Sequence, residues 1–478
     1  MADYSLAQPG GDLSRGQFSA VAHPPAGTYG ATQRSSLRAA PKVVLKTEDE
    51  HLPQRDRDRL QSVTADEVRN FSIGGWAMRK HLDFVATHNF DCSSDSKTLN
   101  EDIEGHVAEW SEPENFDIRE RFDLHQWIRV AELLALSGGD MLAQRLRSGH
   151  VQGIEPDCIR DPESADGDWI NGVKQNDAGK NTHFGVWKNK RGGGWEFDRI
   201  LPANQVFHFG YFQRFNQGRG ISPFAPGLDQ LRQVANAVRY AQAKQIISAM
   251  VGLVSNVEDP KRGNVNLTGG PFMVEIGIDE KLDMLQDKTP SMEFDSFLKH
   301  VIGMSLKSID LPYNFYDERY TNFFGSRAAL NLYLMSCNSK RRRVRSLLNN
   351  LTRWQLNYRL SIGKLRLPRS MDLDTVIRKY CAWIPVGFQW WNPLQEAKAA
   401  EIMLKLRLKS RSELRRETEG DSWFGLQDQI DAEEKRVAET QAAEHDPAQP
   451  SPIDADDLAA AVLDQIKQNE DEGNAGNE

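Results

Sequence analysis

Residues 309–330 read IDLPYNFYDERYTNFFGSRAAL. Six of the fifteen residues in 311–325 are aromatic: Tyr313, Phe315, Tyr316, Tyr320, Phe323 and Phe324. The stretch separates two predicted helices, one from Ser291 or Glu293 to about Ile309, the other running at least to Leu360. The second carries residues 326–369, which hold eleven Lys or Arg and no Asp or Glu, in a chain of net charge −9. Such a block faces a polyanion, where counterion release favours polyphosphate, or takes its carboxylates from elsewhere in the assembly. A merely solvated helix face is the remaining reading.

The acidity of the chain has a local source. Residues 441–478 carry ten acids and one base, and the other 440 residues hold 58 charges of each sign. The body is therefore neutral, and its overall acidity says nothing against nucleic-acid contact. A length of 478 residues allows two or three domains. The cysteines at 92, 158, 337 and 381 form no CxxC pair, which suggests a reducing compartment and no metal site. No secretory signal is visible, and the apolar run 246–254 is too short to span a bilayer. The reading is a soluble protein made in the cytosol.

Working outward, residues 1–56 are rich in Gly, Pro, Ser and Gln and read as a flexible arm. Helical signals begin at Arg57, interrupted at Gly74-Gly75, and a second helix is predicted over 116–136 with Gly138-Gly139 as its stop. Residues 171–187 and 195–212 then read as strands, with turns at Asp177-Ala178-Gly179 and at Gly192–Gly194. A long alanine-rich helix is predicted from Ser222-Pro223 through Leu253, and a strand at 272–276. A strand-like piece over 380–391 precedes Asn392-Pro393 and a helical region to about 440. In the tail, Leu458, Val462 and Ile466 form a thin stripe in disorder-type composition.

Motifs of catalysis are missing from this pattern. The nearest approach to a phosphate loop, Asp177-Ala178-Gly179-Lys180-Asn181, lacks the first glycine and the Ser/Thr that binds magnesium. There is no HExxH, no GxSxG and no zinc-ligand cluster. His81, His88 and His106 do not share the spacing of ligands on one helix face and read as structural. The chain is read as a non-enzyme, with no cofactor and no metal. On residues alone, a nucleic-acid enzyme such as a recombinase or nuclease, or another genome-facing capsid protein, stays open as an alternative.

Three segments, in order, resemble the lambda-type family of bacteriophage portal proteins. The first is NGVKQNDAGKNTHFGVW (171–187) with ILPANQVFHFGYFQRFNQGRGISPF (200–224), similar to that family's hairpin, its His-aromatic strand and its Arg…Gln-x-Arg-Gly turn. The second is the opening stretch, 309–330. The third is CAWIPVGFQWWNPLQEAKAA (381–400), similar to the family's Trp-rich strand and helix start, with Asn392 for the usual acid and Gln395-Glu396 for Lys-Glu. The resemblance covers about 57–440.

It implies an α+β portal fold that forms a ring, usually of twelve subunits, at the capsid vertex of a virion made in the bacterial host cytoplasm. Double-stranded DNA would pass through the channel without sequence readout. The implied parts are a flexible N-terminal arm (1–56), wing (57–221), stem helix (222–252), clip (253–292) and stem helix (293–309). Residues 310–394 would hold the channel loop, the long helix and the rest of the wing, 395–440 the crown, and 441–478 an acidic disordered tail. The implied partners are the large terminase subunit, a head-completion or tail-adaptor protein and the major capsid protein, with no membrane. Lys299 and Lys307, a quarter-turn apart on the returning stem helix, are channel candidates with Tyr313, Tyr316, Arg319 and Tyr320. Packing against the wing is expected for at least half of the aromatic residues. For Lys340, Arg341, Arg342, Arg343 and Arg345 the expected partners are carboxylates of the adjacent subunit.

Overall fold

The first described element is α1 (Glu48–His51), one turn opened by a Thr47–Glu50 capping box. The computed structural model describes residues 46–165, 167–257, 272–277, 292–317, 323–368, 371–387, 392–420 and 423–444. Residues 48–51 and 54–56, expected in a flexible arm, are instead α1 and the start of α2 (Gln54–Asn70). The reason is Asp49, which is buried and accepts hydrogen bonds from the amides of Gly218 and Arg219.

The first helical break also differs from expectation. It falls at Phe71, in extended conformation, and Gly74 and Gly75 lie buried inside α3 (Ser72–Val85). A Cβ on Gly75 would stand 2.8 Å from the Val68 carbonyl oxygen, and one on Gly74 3.0 Å from that of Glu67. Glycine serves here to bring the start of α3 against the last turn of α2, not to end a helix. Next come β1 (His88–Cys92), α4 (Lys97–Ser111), α5 (Pro113–Phe116) and α6 (Leu124–Gly138). The Asp123 side chain caps α6 by accepting from the Gln126 amide, so Phe116 belongs to a separate turn. The expected stop holds: Gly139 ends α6 at φ +101°, a conformation that glycine tolerates best.

Two antiparallel sheets combine the stretches read as strands, 171–187 and 195–212, with three strands that lie outside them. The strands are β2 (Asp140–Arg145), β3 (Val151–Ile154), β4 (Trp169–Ile170), β5 (Val173–Gln175), β6 (Asn181–Asn189), β7 (Trp195–Pro202) and β8 (Val206–Gly210). One sheet has the order β3-β2-β8 and the other β4-β5-β6-β7. Gly179 and Gly192–Gly194 take positive φ in the turns predicted for them. Leu142, Ile159, Phe184, Val186 and Leu201 are among the buried residues that join these strands in a core of their own.

The long helix α7 (Ala225–Met250) ends three residues before its predicted end, and β9 (Val251–Val257) follows at once. The β-branched Val251, Val254 and Val257 suit a strand better than a helix. β10 (Phe272–Gly277), the one strand predicted here, pairs parallel with β9. Helix α8 (Met292–Leu306) ends before Lys307, which starts a 3₁₀ turn. The rest is α9 (Phe323–Ser361), α10 (Leu373–Tyr380), β11 (Cys381–Pro385), α11 (Pro393–Lys405), α12 (Arg411–Thr418) and α13 (Trp423–Glu444). β11 returns to pair antiparallel with β1. Most of 253–292, the tail stripe, Arg319 and Tyr320 lie outside the described residues.

α9 has 39 residues and so spans about 58 Å. Its buried residues Tyr333, Cys337, Val344, Leu348 and Leu351 recur at spacings of three and four or their sum, and enter the large core with α3, α4 and α6. The architecture is mixed helix and sheet, in agreement with the α+β reading. Among the described residues no helix is long and apolar enough to cross a membrane.

Candidate functional site

The aromatic stretch closes the end of α8. Leu306 accepts the amide of Leu311, and Asp310 takes a left-handed conformation, φ +63°, to make the turn. Phe315 then packs against Phe84 and Tyr333, with ring centroids 5.6 and 5.5 Å away. Tyr313 packs against Tyr316 with its ring tilted by 51°, and Tyr316 meets Trp76 edge-to-face at 6.2 Å. Burial and the nearby Asp317 charge push the Tyr313 phenol up to about 12. These rings hold the turn against α3 and α9, and Tyr316 keeps an exposed edge. Lys299 is not a free cation: its ammonium lies 2.6 Å from Asp295 and 3.9 Å from Asp317. Lys307 is exposed, but the 3₁₀ turn removes it from the helix on which a quarter-turn relation with Lys299 was expected.

Five cations of the acid-free block find carboxylates within the same chain. Lys340 donates to Asp310 and to the Ile309 carbonyl, both at 2.8 Å. Arg343 donates to both oxygens of Glu132 at 2.6 and 2.8 Å. Arg327 meets Glu396, Arg353 meets Asp374, and buried Arg359 meets Glu109. Arg341 is 9% exposed and donates to the Phe84 carbonyl at 2.7 Å. The expectation that the block's carboxylates come from an adjacent subunit is therefore corrected for Lys340 and Arg343. Arg345 is half-buried beside an open cleft of about 760 Å³ between α9, β11 and α12, and Arg342 is exposed.

Two buried polar clusters were not singled out from the residues. In the first, Glu132 and His81 are fully buried, and the Tyr211 hydroxyl donates to Glu132 at 2.6 Å. His81 Nε2 lies 3.0 Å from the same carboxylate oxygen, and the Arg343 guanidinium sits 3.4 Å over the Tyr211 ring. Burial alone would raise the Glu132 carboxyl; the Arg343 charge and the His81 bond overcome it and hold the group down to about 2.

The second cluster is built on the Arg214…Gln217-Gly218-Arg219-Gly220 turn. Arg219 is fully buried, and each of its five N–H groups has an acceptor. Two go to Asp140 at 2.7 and 2.9 Å. The other three reach the carbonyls of Ile159, Asn171 and Pro156. His208 and the Gly220 amide complete the Asp140 shell at 3.0 and 2.7 Å. Against the opposing effect of burial, the Arg219 charge holds the Asp140 carboxyl well below its usual range. Arg57 donates to the Gly220 carbonyl at 2.6 Å, and burial together with Arg219 brings its guanidinium down to about 10. The cluster thus ties α1, α2, β2, β8 and the loop before β5 to one turn. The signal in sequence was the Gln-x-Arg-Gly motif itself, whose hydrogen bonds position chain segments.

Among the described residues, no group of three or more His, Cys, Asp or Glu is arranged to hold a metal ion. No curated protein matches the sequence. In fold, the chain is similar to one from the virion of a native gene transfer agent particle, at 12% identity. The alignment covers 76% of this chain and 92% of that one, with a TM-score of 0.43. A chain from the neck of the native particle, computed with C12 symmetry, aligns at 13% identity over 76% of this chain and 93% of its own, also with a TM-score of 0.43. The sequence itself matches the model of the phage portal protein, lambda family, over residues 38–338. That span takes in the buried Arg219 turn, both stem-candidate helices and the aromatic stretch, and it is more than half of the chain. The chain belongs to the lambda family of phage portal proteins and is a portal protein of a phage-like capsid.

Proposed function

We propose that subunits of this protein close into a ring of twelve at the capsid vertex and pass double-stranded DNA through its centre without reading sequence. The observation that carries the reading is the portal-family match over 38–338. Exposed apolar side chains support ring closure. Phe297 and Met304 lie seven residues apart on one face of α8, and Tyr240 and Ile246 stand out from α7. On the first turns of α9, Leu332 and Met335 are 68% and 70% exposed. A lone subunit leaves these groups in water; head-to-tail neighbours in a ring bury them.

In this reading α7 and α8 are the stem pair, 253–292 the clip, 311–325 the channel loop, α9 the helix beneath the wing, and α11–α13 the crown. The clip meets the large terminase subunit during packaging and a head-completion or tail-adaptor protein afterwards, and the ring is held by the major capsid protein. Contact with DNA falls to exposed Lys307 and Tyr316 rather than to Lys299, whose charge is matched locally. Negative-stain microscopy of the purified protein tests the proposal. Rings with a central hole are expected, and Lys307→Ala should keep the rings while flattening the salt dependence of DNA retention. Monomers or dimers that cut DNA in magnesium would overturn it in favour of a nucleic-acid enzyme.

A further inference from the structure

We propose that Cys92 and Cys381 are a modification site: a thiol pair that closes into a reversible disulfide. The residues are 289 positions apart in sequence, yet the Cys381 thiol donates to the Cys92 sulfur at 3.3 Å. Their placement is fixed by strand register, since Cys92 stands opposite Cys381 where β1 pairs with β11. The hydrogen bonds on either side identify the kind of pair. Ser93 N–H donates to Tyr380 O, and Val386 N–H donates to Thr87 O. Hydrogen-bonded pairs alternate along an antiparallel ladder, so these two place Cys92 and Cys381 at a non-hydrogen-bonded position. Side chains approach most closely there, with Cα atoms about 4.5 Å apart. That separation lies inside the range of about 4.4–6.8 Å that disulfides span. The strand register therefore places the two sulfurs, 3.3 Å apart, within reach of a bond.

The two thiols also differ in a way that orders the chemistry. Cys381 is partly exposed, whereas Cys92 is buried and its thiol points to Asn100 Oδ1 at 3.7 Å. With a small disulfide such as oxidised glutathione as oxidant, the Cys381 thiolate attacks one glutathione sulfur and releases one glutathione thiolate. The Cys92 thiolate then attacks the Cys381 sulfur of the mixed disulfide and displaces the second. Two protein thiols lose two electrons and two protons; one glutathione disulfide gains them as two thiols. The hydrogen bond to Cys92, and then burial, push the Cys381 thiol up, so closure should be faster as pH rises. The other cysteines offer no such register: Cys337 is buried on α9, and Cys158 lies in the sheet half, its thiol pushed up to about 12 by burial.

The test treats the folded full chain with oxidised glutathione and, separately, with diamide. Free thiols are then counted, and the chain is digested and mapped without reduction. The expected result is loss of two of the four thiols, a linked peptide holding residues 92 and 381, and its disappearance on dithiothreitol. Cys92→Ser should stop at a mixed glutathione adduct on Cys381, and Cys381→Ser should retain both peptides unlinked. Circular dichroism of each variant confirms that it is folded. Full retention of both thiols under diamide, or linkage through Cys158, Cys337 or a second chain, would overturn the proposal.

Discussion

Arg219 shows how much of this fold one residue can organise. Removing it leaves the Asp140 carboxylate buried with His208 as its remaining side-chain partner. Arg219→Ala should therefore lower the unfolding free energy by about 3–5 kcal/mol. Arg219→Lys keeps the charge but cannot supply five donors in a planar fork, so it should recover only part of the loss in urea unfolding. His88 gives a pH signature. Burial holds its imidazole down to about 4, against 6.5 for the free group. The unfolded chain therefore binds the proton first as pH falls. The stability this group contributes is whole above pH 6.5 and is lost progressively from 6.5 towards 4. A His88→Gln chain should lack that part of the slope in a series of urea midpoints; an unchanged slope would assign it to other groups. At this scale the sequence displayed the Gln-x-Arg-Gly motif but not its partners. Asp49, Asp140 and Asn171 are 170, 79 and 48 positions from Arg219, and no local pattern links them.

Elements were more legible than their contacts. Periodicity located α7, α8 and α9 to within a few residues, and turn chemistry located β6 and β7. Glycine misled where it served packing: Gly74-Gly75 read as a helix break but permits α3 to close on α2. A pair of substitutions separates the two uses of glycine. Gly75→Ala adds a Cβ 2.8 Å from a backbone oxygen that cannot move aside cheaply. It should destabilise by about 1–3 kcal/mol, although alanine is the better helix former. Gly105 lies exposed inside α4 with no atom within 4 Å of an added Cβ. Gly105→Ala should stabilise by about 0.4–1 kcal/mol. Thermal unfolding of the two variants should shift in opposite directions; a common direction would mean that propensity outweighs the contact. The acid-free block teaches the same lesson on α9. Its helix was evident from spacing, but Glu109, Glu132, Asp310, Asp374 and Glu396 reach it from five other segments, which composition within the block could not reveal.

For the whole molecule, the question is which cations serve the subunit and which serve the ring. Arg342 and Arg343 are neighbours in sequence but point to different environments: Arg343 binds the buried Glu132 carboxylate, and Arg342 faces solvent. Arg343→Ala leaves Glu132 uncompensated and should lower subunit stability by about 3–5 kcal/mol. Its rings would then be lost through unfolding, and circular dichroism would report the same loss. Arg342→Glu should leave the subunit's unfolding midpoint unchanged, because Arg342 is exposed and makes no hydrogen bond or ion pair among the described residues. If Arg342 faces a neighbour's carboxylate across the ring, the reversed charge should shift the particle distribution in mass photometry from rings to single subunits. The added charge pair Leu332→Lys with Met335→Lys should do so by a separate route, by placing ammonium groups where apolar contact is proposed. The three variants distinguish the cases. Folded monomers from Arg342→Glu and from the lysine pair place the start and middle of α9 at the subunit boundary. Intact rings from both would move that boundary to the exposed faces of α7 and α8, where Tyr240, Phe297 and Met304 remain to be covered.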